Sequence, residues 1–247
     1  MGDSPVATME TWTMTVRRWL GLIELRLLVP VAVVLAGVWL FAVIAEEAVG
    51  EQPGEVDQML LLALREPDDP ADPIGPEWLE EAVRDFTAFG STAPLLFLTL
   101  AMTGYFLLHR DYHMAVLVAA TVLGGFALTL LLKQGFDRPR PDLVPRVTYV
   151  NTASFPSGHS SIAAATYLTR GVLLARLQPR RRLRVFVIGV AMLLAFLVGF
   201  SRVYLGVHWP TDVLGGWTVG VVWATVALML SRWWLRRTQG RAAVEDA

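Results

Sequence analysis

The chain has 247 residues, 54% hydrophobic and 17% charged, with mean hydropathy +0.49, no cysteine and a formal charge of -1. A soluble domain is about 45–50% apolar and about 25% charged, so this composition points toward lipid and excludes a disordered chain. Without cysteine there is no disulfide scaffold, zinc–thiolate site, iron–sulfur cluster or thiol nucleophile, and any catalysis must use other side chains.

A membrane-spanning helix needs about 20 mostly apolar residues. The first uncharged run, Leu27 to Ala45, follows an N-terminal segment (1–26) that carries Arg17, Arg18 and Arg26. It exceeds a signal-peptide core of about 7–15 residues, so it reads as a retained helix. The connection from Glu46 to Asp85 holds thirteen of the 22 acidic residues against two arginines. Pro67, Pro70, Pro73 and Pro76 predict irregular backbone at its centre, while Trp78, Leu79, Val83 and Phe86 form one helical apolar stripe at its end. That short amphipathic helix either lies in the membrane interface or caps the bundle. The remaining runs are Phe86 to Leu108, Met114 to Leu132, Ser160 to Ala175, Val185 to Ser201 and Val213 to Ser231, with Arg170 interrupting the third of these.

The predicted fold is therefore all-α: six transmembrane helices in a bundle spanning 27–235, an outer loop at 46–85 and a C-terminal tail at 236–247. With six spans, thirteen of the 21 basic residues fall on the side of the two termini. Cytoplasmic flanks are enriched in Lys and Arg, so both termini are expected inside. Arg170 sits within a span, where a charge is costly, and is expected either to snorkel or to find a partner in the bundle. His109 and His113 fall on the cytoplasmic turn and read as interfacial polar residues.

Three motifs share the opposite side. The third span ends in Lys133 and runs into Arg138, Pro139, Arg140, Pro141 and Pro145, which forbid a continuing helix and carry the charges out on a stiff loop. Lys133 is the only lysine in the chain. That favours a site needing a compact ammonium donor over a mere interfacial anchor. The fourth span opens with Phe155-Pro156-Ser157-Gly158-His159-Ser160. Ser157 is placed to cap the helix, whose free N–H groups favour anions, and Gly158 admits a ligand close to the backbone. Between the fifth and sixth spans stand Ser201-Arg202 and, beyond them, His208 and Asp212, four apart around Pro210. A carboxylate on one imidazole nitrogen fixes the tautomer and leaves the other as nucleophile or base; Asp212 as a simple helix-start charge is the plainer alternative. Cations, a helix N-terminus and two histidines without a metal-ligand cluster suit phosphoryl transfer, which demands charge stabilisation on the equatorial oxygens.

The pattern K-x6-R-P, then P-S-G-H, then S-R-x5-H-x3-D resembles the type 2 phosphatidic acid phosphatase superfamily, the lipid phosphate phosphatases, in its bacterial integral-membrane branch. The match is unbroken at Lys133, Arg140, Pro141, Pro156 to His159, Ser201, Arg202, His208 and Asp212, about a third of the chain. The resemblance implies that His208 attacks phosphorus to form a phosphohistidine, Asp212 orients it and His159 protonates the leaving oxygen. Lys133, Arg140, Ser157, Gly158 and Arg202 would hold the phosphate, with no metal and no other cofactor. The Glu46 to Asp85 connection inherits no role. The expected setting is a bacterial cell membrane with the site on its outer face. The expected partners are the bilayer and a lipid phosphate, such as undecaprenyl pyrophosphate, phosphatidylglycerol phosphate or phosphatidic acid; nucleic acid is not among them, and no protein partner is legible. A lipid phosphotransferase using the same histidine is the nearest alternative. A transporter would need polar positions along several spans, and a haloperoxidase of the related pocket is typically soluble.

Overall fold

The computed structural model describes residues 5–50, 54–144 and 152–245, with side chains described from Leu27 to Thr238 within those stretches. Pro145 and Arg146 lie outside the described residues, as do the side chains of Arg17, Arg18, Arg26 and Arg241. The order of elements is α1 (Pro5–Ala48), α2 (Glu55–Leu62), β1 (Arg65–Glu66), β2 (Asp69–Pro73), α3 (Glu77–Ala88), α4 (Thr92–Leu108), α5 (Tyr112–Gly135), α6 (Gly158–Arg176), α7 (Arg181–Tyr204) and α8 (Pro210–Glu245).

Among the described residues, four helices are long and apolar enough to cross a membrane: Leu27–Ala48 of α1, α5, α7 and Pro210–Thr238 of α8. The bent pair α3 and α4 makes a fifth if counted as one span. The expected run from Phe86 to Leu108 is thus not one helix: it breaks between Ala88 and Thr92 with a bend of 46°. Close packing accompanies the break, since a Cβ on Gly90 would lie 2.3 Å from Val198 Cγ1 and 3.4 Å from the His159 side chain. The α3 portion turns away along the end of α7.

The run Ser160 to Ala175 forms α6, which is not apolar enough to count as a span by composition. Its position explains why. The helix packs against α5, α7 and α8, and Ser160 to Thr166 are all buried. A helix surrounded by protein has no need of a lipid-facing surface, so it carries alanine, serine and threonine where its neighbours carry leucine and valine. The outer helices instead expose large apolar side chains such as Trp39, Phe97, Leu131 and Phe186.

Small residues set the spacing between α6 and α8. A Cβ on Gly216 would lie 2.7 Å from the Ser157 carbonyl oxygen, and one on Gly220 would lie 2.5 Å from both the Ser161 carbonyl oxygen and Ala164 Cβ. Only glycine allows the backbones this close, and the stripe repeats every four residues along one face. The N-terminus of α6 is thereby held against the N-terminus of α8.

The connection between α1 and α4 is more ordered than its prolines suggested. Arg65–Glu66 and Asp69–Pro73 pair antiparallel around a turn at Pro67 and Asp68, with a register shift between Arg65 and Glu66. Each strand of a two-stranded ladder has one free edge, which leaves room for Pro70 and Pro73 in β2. The connection is pinned to the end of the bundle by two apolar clusters. Leu61 joins Val144, Val203, Trp209 and Val213, while Val83 joins Tyr204, Leu205 and Val207 with Ile74 and Leu79 against them. Burying a leucine such as Leu61 is worth about 1.5–3 kcal/mol. Leu79 and Val83 of the amphipathic stripe pack on the end of the bundle, and Trp78 on the same helix is exposed.

Candidate active site

Four helix ends and two loops meet at one end of the bundle. Helix α5 stops at Gly135 and the chain continues without helix through Pro141 to Val144, as the prolines predict. This loop is tied down from several sides. Trp209 Nε1 donates to the Pro139 carbonyl at 3.1 Å, Ser154 N donates to the Arg138 carbonyl at 2.9 Å, and Arg140 donates to the Val207 carbonyl at 2.9 Å. The loop from Leu205 to Trp209 turns at Gly206, whose φ of +68° and contact with Val144 and Arg65 exclude other residues.

The His208 ring is buried at 2% exposure. Its Nδ1 lies 3.3 Å from Asp212 Oδ2, and its Nε2 lies 3.2 Å from an Arg140 N–H. A neutral ring with its proton on Nδ1 satisfies both contacts, donating to the carboxylate and accepting from the guanidinium. Burial pushes His208 down from its ordinary 6.5 to about 3, against the pull of Asp212, with the charges of Arg140 and Arg202 adding to the effect. At neutral pH Nε2 therefore carries a lone pair.

Asp212 is fully buried and saturated with donors. Its Oδ2 accepts from Trp209 N at 2.9 Å and from the Ser154 hydroxyl as well as facing His208, and its Oδ1 accepts from Arg138 at 2.7 Å. Pro210 opens α8, so Asp212 falls in the first turn, where the helix dipole favours a negative charge. Asp212 thus stands at the helix start and also contacts His208, Ser154 and Arg138.

The other expected residues gather around the two rings. Lys133 donates to the Ala153 carbonyl and, at 3.4 Å, to that of Ser154. Arg140 also donates to the Thr152 carbonyl at 3.1 Å. Arg202 is 5% exposed, donates to Thr87 Oγ1 at 3.3 Å, and has a buried Nε without a partner among the described residues. His159 Nε2 lies 3.4 Å from Ser91 Oγ, and Lys133, Arg140, Arg202 and His208 are all within electrostatic reach of its ring. A Cβ on Gly158 would meet Lys133 Cε at 3.9 Å, so Gly158 and Lys133 are neighbours with room between them. Ser157 differs from expectation. Its side chain makes no cap bond to the α6 backbone; its Oγ accepts instead from the Ser160 hydroxyl at 2.9 Å, while its N–H donates to the Asp212 carbonyl.

Several polar residues around the site were not singled out from sequence. Ser154 and Thr152 line the strand of chain opposite His208, and Arg138 stood in the first motif as an unspecified position. Asp57 is one acid among thirteen in a connection that lies outside the motifs. It is nevertheless 1% exposed, accepting from Arg138 at 2.7 Å, from the Thr211 hydroxyl at 2.5 Å and from Thr211 N at 2.9 Å. Thr87 and Ser91 bring the end of α3 and the start of α4 onto Arg202 and His159. Only the three-dimensional path of the connection reveals these contacts.

The remaining candidates lie elsewhere. His113 Nε2, near the start of α5, bonds Ser231 Oγ at 2.8 Å, about 30 Å of helix from Lys133, and His109, at the end of α4, packs edgewise on Tyr105. Arg170 donates to Thr99 Oγ1 of α4 at 2.9 Å, which provides the bundle partner among its two expected alternatives.

Residues 113–236 match the family model of the PAP2 superfamily. The chain is 36% identical over 148 residues to phosphatidylglycerophosphatase B of Bacillus subtilis (strain 168), covering 59% of this chain and 71% of that one. It is 37% identical over 106 residues to the undecaprenyl-diphosphatase of Sulfolobus acidocaldarius, covering 42% of this chain and 46% of that protein. Among solved structures it is similar to a transmembrane PAP2-type phosphatidylglycerolphosphate phosphatase from Bacillus subtilis, with TM-score 0.65 and 29% identity over 82% of this chain and 96% of that one.

Proposed function

The chain belongs to the PAP2 superfamily, and from that premise we propose that it is a membrane phosphatase that hydrolyses a lipid phosphate or pyrophosphate through a phosphohistidine on His208, without a metal. One observation carries the reading: a buried imidazole, held on Nδ1 by Asp212, presents Nε2 to Arg140 with Arg202 in electrostatic reach. In this reading the Nε2 lone pair attacks the terminal phosphorus and the bond to the leaving oxygen breaks, that of the lipid alcohol in a monophosphate or of the lipid monophosphate in a pyrophosphate. The leaving oxygen takes a proton from His159. Water then gives a proton back to His159 as it attacks the phosphohistidine, releasing inorganic phosphate and restoring His208.

Lys133, Arg140, Arg202, Ser157 and the Gly158 amide hold the phosphoryl oxygens in this scheme. Their charges replace a metal clamp, since stabilising the equatorial oxygens is the main demand of the reaction. The bound dianion also favours the protonated form of His159 among so many cations. The slowest phosphate-ester hydrolyses require on the order of 20 kcal/mol or more of barrier reduction, and a general acid gives about 10²–10⁴-fold, so positioning and electrostatics supply most of it.

The membrane arrangement proposed with this function has six spans, with the bent α3–α4 pair and the protein-enclosed α6 completing the set. Both termini are cytoplasmic and the site faces outward in a bacterial cell membrane, following the distribution of arginines. The test uses purified protein and a panel of lipid mono- and diphosphates, including phosphatidylglycerol phosphate, undecaprenyl pyrophosphate and phosphatidic acid. Phosphate release that survives EDTA and is abolished by His208→Ala is expected; turnover retained by His208→Ala, or lost to EDTA and restored only by Mg²⁺, refutes the mechanism.

A further inference from the structure

We propose that Asp57, on the connection between α1 and α4, is a positioning residue of the active site: it takes up the charge of Arg138 so that Asp212 keeps its own for His208. The inference rests on the phosphohistidine reading above and assigns a role outside the matched family region, which begins at residue 113.

The geometry is a buried chain of four groups. Arg138 extends one guanidinium nitrogen to Asp212 Oδ1 and the other to Asp57 Oδ2, each at 2.7 Å, with side-chain exposures of 4% for the arginine and 1% or less for both acids. Asp212 in turn faces His208. Two carboxylates share one guanidinium, so the triad carries one net negative charge. His208 becomes positive at the imidazole as Nε2 attacks phosphorus, and that surplus charge is what offsets it.

Without the Asp57 charge, Arg138 would pair with Asp212 alone. The pair would then be neutral, and the developing imidazolium would face the guanidinium of Arg140 with no net counter-charge behind it. In a buried site such terms are strong because little water screens them. Asp57 also accepts from Thr211 N, in the first turn of α8, so the same side chain sets where the Asp212 helix begins. The clusters that bury Leu61 and Leu64 on the end of the bundle hold α2 in place for both contacts.

A purely structural anchor and a charge-balancing one make opposite predictions for a double variant. Asp57→Asn keeps an oxygen for Thr211 but loses the charge, and it is expected to lower kcat by about tenfold or more with KM changed less than about twofold. Adding Arg138→Gln removes the surplus positive charge, so Asp57→Asn/Arg138→Gln is expected to recover a substantial part of that kcat. The phosphoenzyme formed in a single turnover should follow the same order. An unchanged kcat in Asp57→Asn, or a double variant no faster than the single, overturns the proposal. Should Asp57→Asn not fold, Asp57→Ser, which leaves Thr211 a hydroxyl partner, makes the same comparison.

A second readout separates this inference from the assigned reaction. In nitrogen-15 spectra, with the His208 resonances identified by their loss in His208→Ala, the Nδ1–H signal should move upfield in Asp57→Asn and return toward wild type in the double variant. That pattern in a protein that releases no phosphate from any lipid would sink the phosphatase reading and leave the positioning role standing. An unmoved signal would overturn the role whatever the activity.

Discussion

Replacing Gly220 by alanine tests whether helix spacing, rather than the motif residues alone, sets the reactive geometry. The added Cβ would lie 2.5 Å from Ala164 Cβ and from the Ser161 carbonyl oxygen, both on the body of α6 rather than on a flexible side chain. Carbon atoms prefer about 3.5–4.0 Å, so α6 and α8 must separate by about 1 Å or tilt. Overpacking of this kind costs about 1–3 kcal/mol of stability. The functional effect is larger, because His159 rides on α6 while Asp212 rides on α8, and about 1 Å of misplacement can cost on the order of 10²-fold in rate. The assay is phosphate release from a lipid phosphate by detergent-purified protein, with thermal unfolding measured in parallel. Gly189→Ala provides the control, since a Cβ there meets nothing within 4 Å and should leave both measurements near wild type or raise the melting temperature slightly. Wild-type kcat in Gly220→Ala with an unchanged melting temperature would refute the spacing argument.

Two further outcomes follow from the buried groups. Burial holds His208 at about 3 against an ordinary 6.5, so between those values the unfolded chain binds a proton that the folded one excludes. Stability therefore falls as pH drops through that window, and melting curves from pH 7 to pH 4 should show a decline that His208→Gln blunts; an equal decline in the variant would contradict the neutral ring. Arg170 has a buried nitrogen without a partner among the described residues beside its bond to Thr99, so Arg170→Leu should keep kcat within about twofold and fold at least as well as wild type, given the cost of a charge within a span. A tenfold loss of kcat would place Arg170 in the reaction instead.

The elements that sequence made legible are those dictated by local rules. Apolar runs marked α1, α5, α7 and α8, because a lipid-facing helix must be apolar along its length. Proline placed the end of α5 and the start of α8, and the i, i+4 spacing of His208 and Asp212 was enough to foresee their pairing. The three motifs named eight site residues, and the chain brings all eight to one end of the bundle. Run length said less where tertiary contact decides: the Phe86 to Leu108 run bends near Gly90, which packs against Val198 and His159, and α6 carries small polar residues where protein surrounds it.

Composition and motif order were enough to indicate a membrane protein of the PAP2 superfamily, in which histidines rather than thiols are the proposed reacting groups. The role of the acidic connection was not legible, since nothing local distinguishes Asp57 from the twelve other acids around it. A carboxylate becomes a partner of Arg138 only when α2 is folded over the start of α8 and water is removed from both. The tertiary structure decided which acid that is, and the same burial pushes the His208 imidazole below its ordinary value beside Asp212.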